Sequence, residues 1–266
     1  MLRTRVISGI VLAAAMVMLI ASGGDAFGAM MMVLSLIGLF ELYRAGNIER
    51  KALGIFGYIS VILFFTVNRF LGSTCESLII ILVLIGMMML FVINFGKYKL
   101  EEVTLAFLGF CYVAGMFYYL YKIRMLERGA YFIWMLFVGT WGCDTCAYFI
   151  GRTLGKHKLA PVLSPKKSVE GALGGIVGAA VLGVVFVIIC GDKMDFSVES
   201  RWYCGLMCSA IAIVSQFGDL AASGIKRTYG IKDYGKLIPG HGGVLDRFDS
   251  VLLAAPVMYW LLLIGI

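Results

Sequence analysis

The feature that most constrains this chain is a succession of apolar runs close to the length that crosses a bilayer. The run "LIIILVLIGMMMLFVINF", residues 78–95, has no charged side chain at all. About 20 helical residues cover the hydrocarbon of a bilayer, and the runs lack the polar alternation of a half-buried helix or strand. The chain is 61% apolar and 15% charged, with a mean hydropathy of +0.94. An ordinary soluble domain is roughly 45–50% apolar and about 25% charged. One core of this size cannot hide such an excess, so lipid must solvate most of the surface.

The expected fold class is therefore all-α, a polytopic integral membrane protein with about nine transmembrane helices. The predicted spans are 5–22, 27–43, 52–68, 78–96, 103–121, 129–150, 170–190, 202–222 and 249–266. Placing the N-terminus inside puts 17 of the 23 Lys and Arg residues on inner segments, which predicts an N-in, C-out arrangement. The formal charge of +7 then lies mostly on one face, suited to anionic headgroups or nucleotides. Nucleic acid is a poor partner, because the basic residues are divided among short interhelical loops.

Seven cysteines, an odd number, are scattered mainly in apolar runs. Cys143 and Cys146 form a lone CxxC inside a predicted span, and read as small buried residues rather than a metal or redox site. Residues 1–128, with spans one to five, read as a scaffold half carrying few charges inside the membrane. Residues 129–266 read as the working half, with polar loops 151–169 and 223–248; the two form one structural unit. In span seven, Gly171, Gly175, Ala179 and Gly183 recur every fourth residue. Close packing of neighbouring helices is the preferred reading of that stripe, and a homodimer seam is the sharper alternative.

Acidic residues cluster by topology. Asp144, Glu170, Asp219, Asp246 and Asp249 all fall near the expected inner ends of spans six to nine. Ionisable groups in a span are expensive and point to function. Taken singly, Glu170 and Asp249 also suit a helix first turn, and Asp144 could pair with Arg152 or Lys156. Carboxylates beside Lys and Arg suggest a phosphate site bridged by a hard cation, since Mg²⁺ takes one or two carboxylates together with phosphate oxygens. The loops offer Ser164, Lys166, Lys167 and Ser168, then Ser223, Lys226, Arg227 and Lys232. Gly240, Gly242 and Gly243 allow backbone N–H groups close to an oxyanion.

Ser223 to Asp249, "SGIKRTYGIKDYGKLIPGHGGVLDRFD", resembles the signature of the phosphatidate cytidylyltransferases. Upstream, "DTCAYFIGRTLGKHKLAPVLSPKKSVEG" is similar to the same family, with Leu154 where Phe is expected and Ser168 where Thr is common. The resemblance implies cytidylyl transfer from CTP to phosphatidate with Mg²⁺, giving CDP-diacylglycerol and pyrophosphate; a second metal ion is left open. Asp219 and Asp246 are expected to ligate the metal, with Asp144 and Asp249 as further candidates. Lys166, Lys167, Lys226, Arg227 and Arg247 are expected to neutralise substrate phosphates, alongside Ser164, Ser223, Lys232, His241, Gly242 and Gly243. His241 is expected to donate a hydrogen bond or order its loop rather than act as a base. The expected location is a plasma membrane, with the site facing the cytoplasm. Alternatives are a cytidylyltransferase for another lipid phosphate, a CTP-dependent polyprenol kinase and, outside enzymes, a transporter of anionic lipids.

Overall fold

The computed structural model describes residues 9, 14–72, 75–194, 200–238, 240 and 242–265. The first predicted span lies largely outside these residues, although 14–22 are helical. Among the described residues, eight helices are long and apolar enough to cross a membrane. They are α1 (Gly24–Ala45), α2 (Ala52–Leu71), α3 (Glu76–Ile93), α4 (Leu100–Met125), α5 (Gly129–Leu154), α6 (Val169–Met194), α7 (Ser200–Thr228) and α8 (Leu245–Gly265). Each corresponds to one of spans two to nine.

The chain divides into two compact units. The first comprises residues 1–118 with 229–247. Its interior is built on the α1 stripe of Phe27, Met31, Leu39 and Leu42, all buried. The slot for Tyr43 is cut by glycines: a Cβ on Gly109 would lie 2.8 Å from the Tyr43 ring, and one on Gly57 would strike its hydroxyl. That hydroxyl donates to the Ala106 carbonyl at 2.6 Å. Phe64 packs edge-on against Phe110 and Tyr118, with centroids 5.5 and 4.9 Å away. Polar groups inside these helices bond locally, as a lipid surround requires. Ser35 donates to the Met31 carbonyl at 2.7 Å and Ser60 to that of Phe56 at 2.8 Å. On α3, Ile81, Leu82, Ile85 and Met89 remain exposed, the expected state of a lipid-facing surface.

The second unit comprises residues 119–228 with 248–266. Here the small-residue stripe of α6 is spent inside the chain. A Cβ on Gly171 would meet the Ala147 carbonyl oxygen at 2.8 Å, and one on Gly183 would meet Cys208 Cβ at 2.9 Å. The stripe thus seats α5 on one part of α6 and α7 on another, which is the close-packing reading. Cys143, Cys204 and Cys208 are buried and free, as small interior residues.

Both polar loops differ from expectation. Within 151–169, Gly151–Leu154 complete α5. The segments Lys158–Ala160 (β1) and Ser164–Ser168 (β2) then form an antiparallel hairpin pairing Lys158 with Ser168 and Ala160 with Ser164. Within 223–248, Ser223–Thr228 are the last turns of α7, and α8 starts at Leu245 rather than residue 249. In both cases a helix runs on past the end of its apolar sequence.

Candidate functional site

The second unit carries a cavity of about 570 Å³ where α5 ends and α6 begins. Asp144 of α5, Asp219 and Gln216 of α7, and Ser164, Lys166, Lys167 and Ser168 of β2 line it. The acidic groups come from the helices, and the basic groups from the hairpin and from Arg152 of α5. The hairpin explains how: in β2 the successive side chains of Lys166 and Lys167 point to opposite faces, and Lys167 is the less exposed of the two.

The Lys167 ammonium forms an ion pair with the Asp219 carboxylate. Its Nζ is enclosed, yet no acceptor among the described residues is aligned for a hydrogen bond. Asp144 also feels Lys167 and Asp219, and takes a hydrogen bond from Ser250 rather than from Arg152 or Lys156. Arg152 instead donates to the Tyr148 hydroxyl at 3.1 Å. Lys226 Nζ lies 3.9 Å from Asp249 Oδ2, and Asp249 is within electrostatic range of Asp219 and Asp144. Gly218 makes that possible: a Cβ there would meet the Asp249 carbonyl oxygen at 2.6 Å, so α7 and residues 248 onward of α8 touch backbone to backbone. Asp219, Ser223 and Lys226 repeat at helical spacing and share one face of α7, with Arg227 adjacent.

Local bonds hold this constellation. Ser168 accepts the Gly171 amide at 3.1 Å, capping α6. Glu170, in the first turn of α6, accepts the amides of Lys156 at 3.0 Å and His157 at 3.2 Å and meets His157 Nδ1 at 2.6 Å. It ties the hairpin entry to the helix. Gln216 donates to the Ala172 carbonyl at 3.1 Å.

The remaining expected residues belong to the first unit. Lys232 and Arg247 are exposed and Gly243 and Asp246 are buried; His241 lies outside the described residues. Asp246 Oδ2 accepts the amides of Tyr234 at 2.8 Å and Gly243 at 3.0 Å. Gly242 has φ of 85°, a left-handed conformation that suits glycine. A Cβ there would also lie 2.8 Å from Asp246 Oδ2. Spans one to five were expected to contribute little, but Glu41 of α1 is only 3% exposed and bonds to this turn. The signal for it was present, a carboxylate inside an apolar run.

The donor set suits a hard cation: Asp144, Asp219 and Asp249 supply carboxylate oxygens and Ser250 a hydroxyl, without nitrogen or sulfur. Among the described residues no three such side chains already converge on one point. What the second unit provides is ammonium groups beside carboxylates in one cavity.

A family model described as the Cytidylyltransferase family matches residues 3–264. A phosphatidate cytidylyltransferase of Bacillus subtilis (strain 168) is 32% identical over 267 residues, 98% of this chain and 97% of the relative. One from Staphylococcus haemolyticus (strain JCSC1435) is 31% identical over 267 residues, covering 98% and 99%. A third, from Staphylococcus saprophyticus, is 37% identical over 172 residues, covering 65% and 64%.

Proposed function

The chain belongs to the cytidylyltransferase family, and from that premise we propose that it transfers the cytidylyl group of CTP to phosphatidate. The observation that carries the reading is the Lys167–Asp219 pair in a cavity edged by Lys166, Ser164 and Asp144. Such a place offers positive charge to phosphates and carboxylates to a cation within one chamber.

In the proposed reaction a phosphate oxygen of the lipid forms a bond to the α-phosphorus of CTP. The bond from that phosphorus to the β-phosphate oxygen breaks in line, and pyrophosphate leaves. A phosphate monoester has a second pKa of about 6 and is largely dianionic at neutral pH, so no general base is required. The harder task is to bring two polyanions together and to stabilise the leaving pyrophosphate. Lys166, Lys167, Lys226, Arg227 and Arg247 are assigned that charge, with Ser164, Ser223 and Lys232 as further phosphate contacts. Gly242, Gly243 and His241 are assigned to the turn that approaches the nucleotide. Mg²⁺, when bound, supplies charge neutralisation at the phosphate oxygens. Asp219 and Asp246 are its proposed ligands, with Asp144 and Asp249 as further candidates. With a cation on Asp219, the Lys167 ammonium that it now pairs with would be free to meet phosphate.

The proposed setting is a bacterial plasma membrane, N-terminus inside, with the site open to cytoplasmic CTP. The test is turnover by Asp219→Asn protein that retains wild-type thermal stability. Loss of Mg²⁺-dependent CDP-diacylglycerol formation is expected, and normal turnover would remove Asp219 from the mechanism. The motifs do not choose the lipid tails, so diacyl and unsaturated diether phosphates should be compared in the same assay.

A further inference from the structure

Among its described residues, the turn at 234–244 lacks regular secondary structure apart from a single bridge between Ile238 and Gly242. Its buried amides must therefore find side-chain partners. Asp246 takes two of them, as described. The next two go elsewhere: Val244 N donates to Glu41 Oε1 at 3.1 Å, and Leu245 N donates to Glu41 Oε2 at 3.0 Å. These are orphan donors at the start of α8, and the carboxylate that caps them lies about 200 residues earlier in the chain. One helical turn beyond Glu41, Arg44 Nη2 donates to the Tyr234 carbonyl at 2.7 Å. Helix α1 thus grips both sides of the turn.

Glycine geometry shows how closely. A Cβ on Gly243 would collide with the Glu41 carboxylate, whose Cδ and Oε2 both lie 2.5 Å away. A Cβ on Gly235 would collide with the same group. Neither Gly235 nor Gly243 is among the described glycines with positive φ. Their lack of a side chain is therefore required by space rather than by backbone conformation. Beside the phosphate contact expected of Gly243, the structure shows a steric need for glycine there, set by Glu41.

We infer that Glu41 is a positioning residue for the site, its carboxylate wedged between Gly235 and Gly243 and bound to the amides that open α8, so that α1 sets the placement of the turn bearing Gly242 and Asp246. A carboxylate is needed there, because each oxygen meets a different N–H. A carboxamide would satisfy one amide and turn its own NH₂ toward the other. The inference rests on the proposed role of this turn in the reaction, and deepens it.

The experiment uses the purified full-length protein in detergent, with hydrogen exchange across Tyr234–Leu245 and steady-state turnover of CTP and phosphatidate. Glu41→Gln should speed exchange at Val244 or Leu245 at least tenfold while exchange in α2 and α3 stays at the wild-type rate. It should also lower kcat/KM about tenfold or more. Gly243→Ala should be strongly impaired beside Glu41, and less so when combined with Glu41→Ala, which clears the space. Wild-type exchange in Glu41→Gln, or a Gly243→Ala defect undiminished by Glu41→Ala, would overturn the inference. So would loss of folding in every Glu41 variant, since Glu41 would then serve the fold at large. Exchange is read without substrate, so absent turnover in the wild type would count against the proposed reaction alone.

Discussion

Substituting Gly175 by alanine sets two effects of known size against each other. Alanine is favoured over glycine within a helix by about 1 kcal/mol. Against this, the new Cβ would lie 2.9 Å from the Cys143 carbonyl oxygen, 2.9 Å from its Sγ and 3.0 Å from Ala147 Cβ. Ordinary contact between such atoms is about 3.5–4.0 Å, so α5 and α6 must part by roughly half an ångström. Two of the three obstacles, a main-chain oxygen and a Cβ, cannot rotate away. Overpacking of this kind costs about 1–3 kcal/mol. The balance is a net loss of about 0–2 kcal/mol, or a fall in Tm of up to several degrees for a chain of this size. Tryptophan-fluorescence melting in detergent is the assay. Cys143→Ala should recover part of the loss by removing Sγ. Val177→Ala, on the exposed face of the same helix, should change little. A rise in Tm for Gly175→Ala would refute the claim that the stripe is a packed seam.

Other outcomes follow from the same geometry. Asp246→Asn keeps an oxygen for the Tyr234 and Gly243 amides, so exchange protection of the turn should persist while Mg²⁺-dependent turnover falls at least tenfold; normal turnover would end its candidacy as a ligand. Ser168→Ala removes the cap on α6 and should destabilise by about 0.5–2 kcal/mol, read as faster exchange of the Gly171 amide. Chelation with EDTA should abolish turnover and added Mg²⁺ restore it; unaffected turnover would remove the cation from the scheme.

The helices of this fold are written in its apolar runs because lipid removes the need for alternation. Their ends are not. Span 52–68 extends to Leu71 because Asn68 donates to the Phe64 carbonyl at 2.8 Å and Arg69 pairs with Asp25. Span 103–121 extends to Met125, with the Lys122 ammonium lying over the rings of Tyr119 and Tyr259 at 4.9 and 4.4 Å. Asp25 and Tyr259 lie far off in sequence from the residues they meet, so a hydropathy reading stops at the first polar residue. The period-four stripe of α6 was legible because it is local. In the site, the carboxylate-and-lysine chemistry was legible from residue type, whereas the pairing of Lys167 with Asp219 needed the hairpin that points it inward. The Glu41 carboxylate is visible in its apolar run, but its role is not, because its partners at Val244 and Leu245 are main-chain amides without a side-chain signature.

The most direct measurement is the fate of two labels. Purified protein is given phosphatidate, Mg²⁺ and CTP carrying phosphorus-32 at either the α or the γ position, and lipid is separated from water. The account predicts α-label in the lipid as CDP-diacylglycerol and γ-label in aqueous pyrophosphate, in equal amounts. Label from the γ position in the lipid, with CDP released, would contradict it.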